Sequence, residues 1–216
     1  MFETLDGYCE RLDASFWSEP VNAVTNLAFV LAAYLMWRRT RGDAMAGALC
    51  LILAMIGLGS FAFHTFAQVW AAISDVAPIV AYILLYVFVA NRYYLGMRLW
   101  PALGLTALFV PYAALTVPLF AQLEWLRASA GYAPVPVLIA AYAVILRKSA
   151  PKTAAGLALG ATILVVSIAF RTIDSPLCAR VPLGTHFLWH ILNGIMLGWM
   201  IEVYHRHRLA GAPSHG

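Results

Sequence analysis

Seven apolar stretches, at residues 21–37, 44–66, 69–90, 99–120, 133–146, 153–170 and 183–204, take up most of this chain. About 20 such residues is the length at which an α-helix crosses the hydrocarbon of a bilayer. Of 216 residues, 62% are hydrophobic and only 11% charged, and the mean hydropathy is +0.79. A water-soluble domain of this size does not have that balance. The sequence therefore predicts an all-α integral membrane protein, a seven-transmembrane helix bundle forming one domain over residues 1–216. The stretch at 133–146 is the weakest of the seven, being short and opened by Pro134 and Pro136.

Charge sets the expected orientation, because Lys and Arg are retained on the cytoplasmic side. Arg38, Arg39, Arg41, Arg92, Arg98, Arg147, Lys148, Lys152, Arg206 and Arg208 fall on one side. The other side holds Arg11, Arg127, Arg171 and Arg180 with the acidic residues Glu3, Asp6, Glu10, Asp13 and Glu19. An odd number of spans then gives an outside N-terminus, with residues 1–20 an extracytoplasmic segment, and a cytoplasmic C-terminus. The basic residues act as topological anchors, so the pI near 9.1 calls for no nucleic-acid partner. Trp17, Trp37, Trp70, Trp100 and Trp125 fall at expected helix ends, the headgroup level such rings favour. Acidic residues precede the first apolar stretch and no small-residue cleavage pattern follows it, so it reads as a span and not a signal peptide.

Residues 205–216 read as a flexible cytoplasmic tail, in which His205, His207 and His215 are expected to be solvated. Of three cysteines, Cys9 and Cys178 share the outer side, where a disulfide can persist. Their spacing leaves open whether they meet. Cys50 reads as a small packing residue.

Ionisable groups at membrane depth are costly and default to a functional reading. With the second span running outward and the third and seventh running inward, Ser60, His64, Asp75, His186 and His190 share one depth in the outer half. Ser60 and His64 are four residues apart, as are His186 and His190, so each pair shares a helix face. Three imidazoles from two helices with an open fourth position are how catalytic zinc is held. Asp75 then suits a general acid and base, and Ser60 suits orientation of water or stabilisation of an oxyanion. Other readings stand beside these. Each histidine alone is often a hydrogen-bonded member of a bundle, Asp75 is open to pairing with Arg171, and Ser60 within Gly57-Leu58-Gly59-Ser60 suits close helix packing. Pro78 frees the Ser74 carbonyl one turn back and is expected to kink the third helix.

The stretch Gly57-Leu58-Gly59-Ser60-Phe61-Ala62-Phe63-His64, then Asp75 and Pro78, then Thr185-His186-Phe187-Leu188-Trp189-His190-Ile191-Leu192-Asn193-Gly194 resembles the alkaline ceramidase family. Tyr8-Cys9-Glu10, the series Glu19, Asn22 and Asn26, and Ile173-Asp174 with Cys178 extend the resemblance over nearly the whole chain. It implies a seven-helix, zinc-dependent amide hydrolase that splits ceramide into sphingosine and a fatty acid. By position it carries zinc ligation to His64, His186 and His190 and catalysis to Ser60 and Asp75. It also implies a calcium site in the N-terminal segment at Glu10 and Glu19. There the pattern departs: Gly7 stands where an aspartate is expected, and the stretch from Glu10 to Glu19 is shorter. Asp6 and Asp13 are the substitute oxygen ligands.

The function expected is intramembrane cleavage of the amide bond of ceramide or a related N-acyl lipid, with sphingolipid as the substrate class the resemblance suggests. The Ala- and Leu-rich composition suggests a bacterial inner membrane, with the site towards the outer leaflet. The alternatives are a lipid-binding receptor-like protein that never turns over, a hydrolase of another ester or amide lipid, and a proton or ion transporter using Asp75 and the histidines as a relay. A retinal pump is set aside because the only lysines, Lys148 and Lys152, lie in an expected loop.

Overall fold

The computed structural model describes residues 1–5 and 7–211. They build nine α-helices: α1 (Pro20–Thr25), α2 (Leu27–Arg39), α3 (Ala44–Phe66), α4 (Val69–Val89), α5 (Leu99–Ala107), α6 (Phe109–Ala121), α7 (Pro134–Leu146), α8 (Pro151–Leu177) and α9 (His186–Ala210). A π-helical turn, Ala90–Tyr94, extends α4, and a 3₁₀ turn, Glu124–Ser129, precedes α7. Helix α1 runs into α2 through Asn26, and α5 into α6 through Leu108. Six helical segments are therefore long and apolar enough to cross a membrane: Pro20–Arg39, Ala44–Phe66, Val69–Tyr94, Leu99–Ala121, Pro151–Leu177 and His186–Ala210. The seventh expected span is the shorter apolar helix α7, of 13 residues.

Local sequence explains several boundaries. Asp43 caps α3 by accepting from Met45 N and Ala46 N at 3.0 Å each, satisfying two of the amides a helix start leaves free. Pro20 and Pro151 open α1 and α8 at the position where a missing N–H costs nothing. Gly184, at φ +68°, turns the chain into α9. A Cβ there would overlap Asp174 and Cys9, and α9 begins at His186, after the turn, instead of at the expected residue 183.

Outward faces are apolar, as lipid contact requires. Leu31, Leu35, Leu51, Leu58, Val110, Leu115 and Leu119 are all more than half exposed, and α6 buries no side chain at all. An apolar exterior of this extent is foreign to a water-soluble monomer.

One end of the bundle is basic and tied by polar contacts. Glu202 accepts from Arg39 Nε and Nη2 at 3.0 Å each and from Arg206 Nε at 2.7 Å, while Tyr204 Oη donates to Asp43. His207 corrects the expectation of a solvated tail: its Nε2 donates to the Tyr93 carbonyl at 3.1 Å, and its Nδ1 accepts from Thr153 Oγ at 2.8 Å. It is half-buried because α9 continues through the start of that tail to Ala210. His205 is half-buried at the same rim. His215 and Asp6 lie outside the described residues.

At the other end the N-terminal segment lies over the bundle. Leu5 N donates to the Ala67 carbonyl at 2.7 Å, and Cys9 and Cys178 form a disulfide with Cα atoms 5.1 Å apart. The bond joins positions 169 residues apart, where cross-linking restricts the unfolded chain strongly. Cys50 is the free, buried cysteine. Cys178→Ser is expected to lower the melting temperature of the purified protein by several degrees, checked by thermal scanning with and without reductant; reductant should then leave the variant unchanged.

Candidate metal centre

His64 comes from the last turns of α3, and His186 and His190 from the first two turns of α9. Each is no more than 2% exposed. One ring nitrogen from each lies within 4.8 Å of the others. The ring centroids are 4.6 Å apart for His186 and His190, 4.7 Å for His64 and His190, and 5.2 Å for His64 and His186. The three histidines read from the sequence thus converge, and they are the one group of this kind among the described residues.

The hydrogen bonding around these rings tests whether an ion fits. His64 Nδ1 lies 2.6 Å from Glu19 Oε2, in the geometry of a donor on a carboxylate. His190 Nδ1 lies 3.0 Å from Thr25 Oγ, whose own proton is directed at the Val21 carbonyl 2.7 Å away. Both contacts assign the proton to Nδ1 and leave the Nε2 lone pair for a ligand, the outer-shell pattern of metal-bound imidazoles. His190 Nε2 and His186 Nδ1 are buried with no hydrogen-bond partner. Orphaned polar atoms are rare in interiors because each forfeits its hydration. A divalent ion would satisfy them, so the donor set fits one.

The backbone positions of the histidines are set from other elements. Asp174 of α8 accepts from Thr185 N at 2.6 Å, His186 N at 2.9 Å and Cys9 N at 3.1 Å. It caps α9 from outside that helix and fixes the turn carrying His186. Tyr8 lies on the His186 ring, with centroids 3.7 Å apart and planes at 21°. Burial, opposed by the neighbouring Arg171, pushes the Tyr8 phenol up to about 12, so it stays neutral. The Arg171 guanidinium sits over Tyr132, Trp189 and Tyr8, at 5.0, 5.8 and 6.0 Å from the ring centroids. It donates to Ser129 Oγ and the Ala128 carbonyl. It makes no ion pair with Asp75 among the described residues, though Asp75 lies within its electrostatic reach.

Ser60 is buried one turn before His64, and Asp75 of α4 lies beside it. Their approach depends on Gly59, where a Cβ would overlap the Ser74 carbonyl. That carbonyl is the one Pro78 leaves without its helical donor. The small residue and the helix interruption together bring α4 against α3 at the depth of the histidines.

The described N-terminal carboxylates are engaged by groups of the protein itself. Glu10 accepts from Val21 N and Asn22 N, one oxygen each at 2.7 Å, and so caps α1. Glu19 is buried with Arg11 Nε at 2.5 Å from Oε1, and Asn22 Nδ2 at 3.1 Å and His64 Nδ1 at 2.6 Å from Oε2. Burial alone would raise its carboxyl, but the His64 and Arg11 contacts outweigh that and hold it below the ordinary carboxylate range. Asp13 is exposed and accepts from Ser15. Calcium takes six to eight oxygens at 2.3–2.6 Å, and the described residues offer no such unengaged set.

Sequence reasoning placed Glu19 in that calcium set and did not find its bond to His64. Thr25 and the capping by Asp174 were missed as well. The partners lie 45, 165 and 12 positions away, and nothing in local spacing announces them. Glu19→Gln and Thr25→Val are each expected to weaken metal binding about 10–100-fold, the usual outer-shell effect. Chelator competition followed by metal analysis would show it; unchanged affinity in both would contradict the orienting role.

Comparison with curated proteins returns no match. A family model described as Ceramidase matches residues 7–212, nearly the whole chain and all the residues of this centre. The chain belongs to the ceramidase family.

Proposed function

We propose that the protein is a zinc-dependent hydrolase that cleaves the amide bond of ceramide or a related N-acyl lipid, releasing a fatty acid and a long-chain amine. The observation that carries this reading is the buried histidine trio, with two ring nitrogens lacking any partner, beside Ser60 and Asp75 and at the end of an apolar groove. Three nitrogen donors with room for a fourth ligand are characteristic of catalytic zinc. When bound, such an ion supplies a Lewis acid that polarises the carbonyl and makes water nucleophilic near neutral pH.

The chain's own residues supply the rest. Asp75 accepts the proton of the attacking water and returns it to the departing nitrogen, so that the amine leaves neutral. The Ser60 hydroxyl, beside Asp75, steadies the water or donates to the oxygen on which negative charge develops. Glu19 and Thr25 hold the His64 and His190 rings, and Asp174 holds the backbone of His186.

Two adjoining apolar cavities support a lipid substrate. One is lined by Phe29, Ile79, Tyr132, Leu164 and Trp189. The other is lined by Tyr82, Tyr86, Leu138, Tyr142, Leu157 and Met200. They share Ile83, Val135, Met196 and Leu197, so the groove runs between α4 and α7 along α9. Its upper end meets the histidines through Phe29 and Trp189, whose neighbours are His190 and His186. An acyl chain lying there puts its carbonyl at the centre. The clustering of basic residues at the opposite end supports an outside N-terminus and a site facing the outer leaflet.

The test is release of fatty acid from a panel of N-acyl and ester lipids by purified protein, zinc-loaded and zinc-stripped. Zinc-dependent release from ceramide or another N-acyl lipid is the expected result. Tight lipid binding with no release from any substrate would establish a receptor instead, and preference for an ester lipid would change the bond cleaved.

A further inference from the structure

Arg11 is an uncommon group for its position: a charged side chain only 2% exposed, at the membrane end of the bundle and one residue removed from a metal ligand. Burying an arginine is costly unless its hydrogen bonds are made. Three of its donors are engaged. Nε donates to Glu19 Oε1 at 2.5 Å, Nη1 to the Asp13 carbonyl at 3.1 Å and Nη2 to the His64 carbonyl at 3.0 Å. One carboxylate oxygen and two backbone carbonyls are the kinds of ligand that a hard divalent cation gathers. Here they surround a guanidinium.

We propose that Arg11 is a built-in cation standing where the resemblance to alkaline ceramidases implies calcium, and that it positions the zinc ligand His64 without any bound calcium. Two contacts converge on that histidine. Through Glu19, Arg11 fixes the orientation of the ring; through Nη2, it holds the backbone carbonyl of the same residue. A calcium ion ligated by Glu19 would be placed within a few ångströms of the Arg11 charge, and at that distance like charges repel by several kcal/mol in a partly buried setting. Guanidinium and calcium are therefore alternatives. A covalently attached cation does not dissociate, so the His64 ring stays oriented at any calcium concentration. Arg11 acts through Glu19 and touches no reacting atom, which makes it a positioning residue.

The test uses the full chain in detergent or nanodiscs, and its first arm needs no assay of turnover. Wild-type protein is titrated with calcium and followed by radiolabelled calcium binding and by melting temperature. No stoichiometric binding and no shift up to millimolar calcium is the expected result, and saturable binding of one ion in the N-terminal segment overturns the proposal. The second arm measures zinc retention against a series of chelators. Arg11→Gln is expected to lose zinc affinity about 10–100-fold, as loss of an outer-shell contact does, and Arg11→Lys to recover most of it. Millimolar calcium should restore part of the affinity in Arg11→Gln by entering the vacated oxygens. Wild-type zinc affinity in Arg11→Gln, or no calcium response in that variant, would overturn the proposal. The proposal rests on the zinc reading for its positioning part only. If the protein bound no zinc at all, that reading would fail, and the calcium titration of the wild type would still decide the rest.

Discussion

Replacing any one of His64, His186 and His190 by alanine is expected to abolish both metal binding and lipid hydrolysis. The two losses have a common cause. The three rings come from two facing helices and are buried together, and two nitrogens hold an ion far less tightly than three. Metal per protein, by elemental analysis, should fall from about one equivalent to near zero, and turnover should drop at least a thousandfold, within the range over which enzymes commonly exceed the uncatalysed rate. The folded bundle should survive, because truncating one imidazole also removes one of the three buried rings that face one another there. Circular dichroism and gel filtration check that point. Full occupancy in any one variant would remove that residue from the ligand set.

The second large effect separates chemistry from binding. Asp75→Asn keeps the shape of the side chain and loses its ability to take a proton, so zinc should remain at the wild-type level while turnover falls about 10²–10⁴-fold, the usual contribution of a general acid or base. Ser60→Ala should retain the metal too, with a smaller loss of about 10–100-fold, because a hydroxyl that steadies water is partly replaced by water itself. A substantial KM change with turnover preserved in Asp75→Asn would place the aspartate in substrate binding. Loss of zinc in that variant would make it part of the metal's support.

Much of this architecture was visible in apolar length alone. The stretch at 44–66 coincides with α3, and that at 133–146 differs from α7 by one residue. Helix length and hydropathy are properties of single segments, and they survive whatever the segments pack against. The convergence of the histidines was legible for a related reason: once direction alternates from span to span, position along a span becomes depth. What was hidden depends on the partner across a gap. Arg11 reads as one more charge on the outer side, and only the fold shows it surrounded by Glu19, Asp13 and the His64 carbonyl. Glu19 has the chemistry of a calcium ligand and of an imidazole acceptor alike, and its neighbours decide between them. At the far end, His207 follows the last apolar stretch and looks like tail, yet Thr153 and Tyr93 hold it in a continuing helix.

The disulfide and the histidine trio each join residues far apart in sequence. Cys9, Arg11, Glu19 and Thr25 come before α2, whereas Cys178, His186 and His190 follow α8. During translation, then, a ribosome that has already delivered α1 through α8 into the bilayer has produced no catalytic centre. Nascent chains that end before residue 178 are expected to acquire neither the ion nor the cross-link. The histidine trio is thus complete only once α9 has emerged, and whatever chemistry depends on it waits for the whole bundle.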